Sequence, residues 1–310
     1  MKLNKYLLTA TAGLALVAAI PGSSASLPNL TGAPQMVVTV LPGANGVRPD
    51  NLVAGDLSIT LDKAPAPVVH LQRFAGEMAD MQLFVLLDDS SRSTSLSLHL
   101  GELKTFFNSL PSTTQVALGY MRNGTFTLAQ EFTPDHQKVA AALRLPMAIA
   151  GGNGSPYFSL TELVKRWPSD QSMERRAVLM LTDGVDRYDG SADLDDPYMD
   201  EAIHGALRHG VMVYSIYLSG AGRYGQRGAP LAFGQSHLIE VGEETGGYAY
   251  FENFRDPVDI TPFLNDLRDR LDNQYQVIFG AVSEKGFVAA KVRTESKGLK
   301  VSAATRVYVP

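Results

Sequence analysis

Two apolar runs that break off at carboxylates constrain this chain more than anything else in it: LFVLLDDSSRS at residues 83–93 and AVLMLTDGVD at 177–186. A strand buried on both faces reads as an uninterrupted Val/Leu/Met run, and such strands belong to parallel sheets covered by helices. In open α/β sheets, ligands bind just beyond the carboxyl ends of those strands. Two strands delivering Asp and Ser to one rim offer the oxygen ligands that a hard cation prefers.

The rest of the composition mostly excludes. At 310 residues and 45% hydrophobic the chain can bury a core and build more than one domain. A net charge of −5 and the lack of any Lys/Arg block argue against nucleic-acid binding. With no cysteine there are no disulfides, thiolate-bound metals or cysteine nucleophiles. Residues 1–25 have the layout of a signal peptide: Lys2 and Lys5, an apolar stretch over 6–20, and a small-residue exit at Ser23-Ser24-Ala25. The apolar stretch is shorter than the ~20 residues that span a bilayer. Export to the periplasm or beyond follows, with no stable membrane insertion after cleavage.

After a leader over 26–35, residues 36–76 hold short β-rich runs (37–41, 57–61 and 68–74) separated by Gly, Pro, Asn and Asp. Strand-like runs at 83–87, 177–182 and 211–218 then alternate with helical patterns at 97–110, 156–167, 197–209 and 257–273, the signature of a mostly parallel sheet covered on both faces. Asp196 and Pro197 read as the cap and first residue of the third helix. Asn123-Gly124 joins two strand runs as a hairpin. Strands are expected again at 274–282, 287–294 and 300–309, pairing with 36–76 as a small β-sandwich.

Several segments, in order along the chain, make it similar to a bacterial group of secreted von Willebrand factor A-related proteins: DNLVAGDLSITLD, GYMRNGTF, SPYFSLTELVKRWP, EETGGYAYF, NQYQVIFGA and TRVYVP, together with the two strand ends. The resemblance implies an α/β fold: a von Willebrand A-type doubly wound, mostly parallel sheet with one antiparallel edge strand over 80–273. That domain would be inserted into a sandwich made by 36–76 and 274–310. The resemblance also implies a metal-ion-dependent adhesion site, whose first loop has the form Asp-x-Ser-x-Ser. The strand end at Leu87 favours Asp88 and Ser90, with Arg92 in place of the second Ser. One residue later, Asp89, Ser91 and Ser93 satisfy the pattern in full. LTDG at 181–184 supplies Asp183. The second loop lacks the expected Thr, leaving Asn153 or Ser155 as the oxygen donor. Mg²⁺, or Mn²⁺ or Ca²⁺, is the implied ion, completed by an acidic side chain of a protein ligand.

Arg92 cannot ligate a cation, and a guanidinium at close range can replace one by pairing with Asp88 or Asp183. Two functions follow: an extracytoplasmic protein-binding or adhesion module using this rim, or a metal-independent scaffold with the rim closed by Arg92. Asp186, Gly222 and Tyr224 join Arg92 on the expected contact rim. Gly220-x-Gly222-x-x-Gly225 superficially fits a dinucleotide fingerprint, but it follows a late strand, and Gly228, Pro230 and Gly234 argue against a helix behind it, so no nucleotide is expected. The acidic run 186–196 lacks calcium-loop spacing and reads as a solvated loop capping the next helix. The six histidines show no metal spacing and no nucleophile elbow appears. Trp167 is assigned to core packing. The chain is expected not to be an enzyme, with hydrolase the distant third reading.

Overall fold

The structure, a computed structural model, describes residues 34–43, 52–89, 93–147, 154–171, 173, 175–188, 196–218, 229–253, 255–280 and 285–310. In chain order the strands and α-helices are β1 (Gln35–Pro42), β2 (Leu57–Leu61), β3 (Ala64–Ala66), β4 (Val68–Arg73), β5 (Met81–Asp88), α1 (Ser93–Ser109), β6 (Thr114–Arg122), β7 (Thr125–Thr133), α2 (His136–Ala142) and α3 (Pro156–Lys165). There follow β8 (Arg176–Thr182), α4 (Pro197–Arg208), β9 (Val211–Tyr217), α5 (Ala229–Thr245), β10 (Tyr248–Tyr250), α6 (Thr261–Asp272), β11 (Gln274–Phe279), β12 (Gly286–Thr294), β13 (Leu299–Ala303) and β14 (Arg306–Val309). The expected signal peptide lies outside the described residues.

The central sheet has the order β10-β9-β8-β5-β6-β7. All its pairings are parallel except β6–β7, which places one antiparallel strand at the edge. The uninterrupted apolar run of β5 is explained by burial on both sides. Met81, Leu83, Val85 and Leu87 pack with Leu103, Phe106 and Phe107 of α1 and Leu264, Leu267 and Leu271 of α6. Phe84 and Leu86 face Tyr157, Leu160 and Leu163 of α3 and Met199 and Ile203 of α4. Successive residues of a strand point to opposite faces, so both faces of β5 are apolar from Leu83 to Leu87. The hairpin forms as expected: Asn123 and Gly124 both have positive φ, 52° and 72°, the two-residue turn whose twist matches the strands.

The two β-rich segments form antiparallel sheets, β13-β1-β11-β4 and β14-β12-β2-β3. Their inner faces share one core containing Val38, Val40, Ile59, Leu61, Val277, Phe279, Val288 and Val307. Three local expectations need correction. The single strand expected over 300–309 is two strands in different sheets. The chain crosses between them at Ala304–Thr305, where Thr305 N–H reaches Glu243 O (3.3 Å) and Ala290 N–H reaches Thr305 O (2.7 Å). No glycine or proline marks that crossing. The helix expected from Pro257 begins at Thr261, with a proline in its first turn. Third, QRGAPLAFGQ does enter a helix, α5. Pro230 sits in the first turn, where a missing N–H costs nothing. Gly234 is there because a Cβ would collide with the Asp183 carbonyl.

At the amino end of β5 a polar network seals the sheet. Gln82, fully buried, accepts from Trp167 Nε1 (2.7 Å) and donates to Ser169 Oγ (2.7 Å) and Gln115 Oε1 (3.2 Å). Trp167 also packs against Phe132 and Phe84. Gln82→Leu removes the partner of the half-buried indole N–H and one partner each of Ser169 and Gln115. It is expected to cost about 1–3 kcal/mol, read from urea unfolding followed by the fluorescence of the single tryptophan.

Candidate functional site

Strands β5 and β8 are neighbours in the sheet but far apart in sequence, with chain connections leaving them in opposite directions. Their carboxyl ends mark the switch point where open α/β sheets bind ligands. Thr182 Oγ1 donates to Asp88 Oδ2 (3.2 Å), tying the two ends together. The chain then turns sharply. Asp183 Oδ1 accepts from Val185 N–H (3.1 Å), and Gly184 takes φ +68°, which residues with a Cβ rarely adopt. A Cβ at Gly184 would also collide with the Gly234 carbonyl, so two glycines let α5 lie directly on this loop. Tyr157 of α3 also holds it, donating to Gly184 O (2.6 Å).

The turn brings Arg187 back onto Asp183. Its Nη1 donates to Asp183 Oδ1 (3.2 Å) and its Nη2 to Asp183 Oδ2, a bidentate pair whose side chains are 8% and 0% exposed. Burial draws the guanidinium's pKa down, but Asp183, with Asp88 and Asp186 behind it, outweighs burial and holds it above the usual arginine value. Asp186 is buried rather than solvated. It accepts from Ser155 Oγ (2.5 Å) and Tyr188 N–H (2.7 Å). Ser155 in turn caps α3, accepting from Phe158 N–H (3.2 Å). Asp196 caps α4 through Tyr198 and Met199 N–H, as its position before Pro197 predicted.

Three further groups line this end. Tyr217, at the end of β9, is fully buried and its hydroxyl has no hydrogen-bond partner among the described residues. Burial, then Asp183 and Asp256, push its pKa up. His237 of α5 lies edge-on to Tyr157 at 5.9 Å, with both ring nitrogens unpartnered among the described residues. On α1, Ser95 Oγ donates to Asp256 Oδ2 (2.6 Å).

The structure thus brings Asp88, Asp183, Asp186 and Ser155 into one network. Asp89 goes elsewhere: buried, it accepts from Arg144 Nη1 (2.6 Å) and Met147 N–H (3.0 Å), and Arg144 lies over the Tyr120 ring at 3.7 Å. Ser93 is the first residue of α1. Ser90, Ser91, Arg92, Asn153, Gly222 and Tyr224 lie outside the described residues. Sequence reasoning missed Arg187, although it stands four residues beyond Asp183 in TDGVDR. It also missed an aromatic cluster beside Asp186. Phe158 packs on Tyr198 (4.3 Å) and Tyr188 (4.9 Å), and Tyr188 is 67% exposed.

The resemblance makes Asp183 a cation ligand, but both its oxygens are held by a buried guanidinium tethered four residues away. Arranged so, these residues do not fit a divalent ion with Asp183 in its coordination shell.

The core sheet is of the von Willebrand A type in strand order and in its antiparallel edge. No protein-family profile and no curated protein sequence matches the chain. Among solved structures it is similar to BatB from Bacteroides thetaiotaomicron, with 12% identity over 62% of this chain and 98% of that one and a TM-score of 0.42. It is also similar to the SpRpn10 VWA domain, at 12% identity over 66% and 99% of the two chains and a TM-score of 0.42. A third similarity is to the pilus adhesin SpaC from Lactobacillus rhamnosus GG, at 10% identity over 81% and 47% and a TM-score of 0.47.

Ser155 serves both as helix cap and as donor to Asp186, so Ser155→Ala is expected to lower stability by about 1–2 kcal/mol. Ser155→Asp keeps a good cap but sets a second carboxylate against Asp186, and is expected to cost more. Urea unfolding of the two variants, compared side by side, checks the order.

Proposed function

We propose that this chain is an exported, non-enzymatic protein-binding module that meets its partner at the carboxyl end of the central sheet. The observation that carries the reading is the aromatic cluster of half-buried Phe158 and Tyr198 with exposed Tyr188, directly beside the buried Ser155–Asp186 network. Aromatic side chains are enriched in interface cores because they bury large area at low entropic cost. Here they flank carboxylates that hold a shared guanidinium, so the rim suits a neutral or basic partner surface better than an acidic side chain, which would need a bridging cation.

The signal-peptide layout of residues 1–25 supports export to the periplasm or beyond. Among the described residues no helix is long and apolar enough to cross a membrane. The non-enzymatic reading rests on the sequence, whose six histidines show no metal spacing and which carries no nucleophile elbow.

A photo-crosslinking residue at position 188 is expected to give a discrete protein adduct in the producing cells. The same residue at position 69, exposed on β4 of the sandwich, is expected to give none. Phe158→Ala should weaken the 188 adduct about tenfold or more, the usual loss at an aromatic hot spot. Adducts from 69 with none from 188 would place the contact face elsewhere.

A further inference from the structure

We propose that Arg187 is the cation of this rim: a tethered guanidinium takes the place beside Asp183 that a divalent ion would otherwise fill. Asp88, Asp183 and Asp186 all act electrostatically on Arg187, which is the charge arrangement that would otherwise call for a bound metal. The guanidinium fork matches a carboxylate in plane and engages both oxygens of Asp183, setting a fixed positive charge against each. A guanidinium cannot ligate a metal and stays charged, so an ion approaching Asp183 meets a fixed like charge.

Nor is Arg187 a surface side chain that happens to reach the site. Nη1 also donates to Val185 O (3.4 Å), closing the turn on itself. That turn is set by the Asp183–Val185 bond, by Tyr157 on Gly184 O, and by the glycine contact with α5. The backbone that would have to move to free Asp183 is held by contacts from both α3 and α5. Arg92 lies outside the described residues. The inference concerns the charge at Asp183 alone and stands whether or not the rim binds a protein, so the melts below and the crosslinks above fail independently.

Thermal melts of the full chain with EDTA and with millimolar Mg²⁺ or Mn²⁺ test it, alongside Arg187→Gln, Arg187→Lys and Arg187→Gln combined with Asp183→Asn. The parent melts are expected to coincide, and Arg187→Lys to stay insensitive to cations. Arg187→Gln is expected to melt lower in EDTA and to regain at least about 3 °C with Mn²⁺ or Mg²⁺, because an ion that binds only the folded state raises its melting temperature. The double variant should show no such gain. A parent melt that rises with cation and loses the rise in Asp183→Asn would overturn the proposal, as would an Arg187→Gln protein that folds and ignores cations. Should Arg187→Gln fail to fold, Mn²⁺ titration of the parent by electron paramagnetic resonance decides. No bound Mn²⁺ supports the tethered cation, and a bound ion lost in Asp183→Asn refutes it.

Discussion

A strand covered on both faces by helices can place a charge only at its ends, and that constraint on β5 organises the molecule. Every residue from Met81 to Leu87 is buried, with Gln82 the single polar member, satisfied at the sealed amino end. Polarity accumulates at the other end, where Asp88 meets Thr182 of β8 and Asp89 and Asp183 follow on the two chains. Placing several carboxylates in a partly buried rim is costly unless each finds a counter-charge or a donor. The solution divides them. Asp89 is paired with Arg144 on the α2 side, while Asp183 is paired with Arg187 and Asp186 is satisfied by hydroxyl and amide donors.

The arginines do more than cancel charge. A lysine at 187 would bring a point charge but not the planar fork that fixes both oxygens of Asp183 at once. The fork makes the loop's shape and its electrostatics one problem. Gly184 and Gly234 permit close approach of α5, that approach buries the loop, and burial strengthens the ion pair formed within it. Tyr217, whose hydroxyl near Asp183 has no partner among the described residues, is part of the cost of this crowding.

What could be read from the sequence follows from which features have a period or a fixed local grammar. The core strands, the Asn123-Gly124 hairpin and the Asp196-Pro197 cap all do, and the structure reproduces them. The strand ends gave Asp88 and Asp183 for the same reason. Arg187 has no such mark: the pair spans four residues of a loop, where i,i+4 spacing means nothing without the particular turn made at Gly184. The strand break at Ala304–Thr305 is equally silent, because alternation continues across it while the chain changes sheets. Helix α5 was misjudged because glycine and proline were read as breakers. Pro230 sits where a helix has no N–H to lose, and Gly234 is demanded by a neighbour distant in sequence.

The insertion of the A-type sheet into the sandwich decides which surface is presented. The chain enters through Phe74 and leaves through Gln274, and Phe74 N–H bonds Gln274 O (3.0 Å), so both passages lie side by side. Arg175 fastens this neck, donating to Leu271 O (2.8 Å) and Ala79 O; burial lowers its pKa to about 10, still charged at neutral pH. Further along, the carboxyl end of α4 is braced against the sandwich by His204 stacked on Phe287 (4.1 Å) and by Arg208 over the same ring (5.0 Å). From that neck β5 runs its eight residues, about 26 Å at strand rise, before reaching Asp88. The sandwich therefore holds the sheet by its amino end and leaves the carboxylate rim, with Tyr188 beside it, at the far end of the strands.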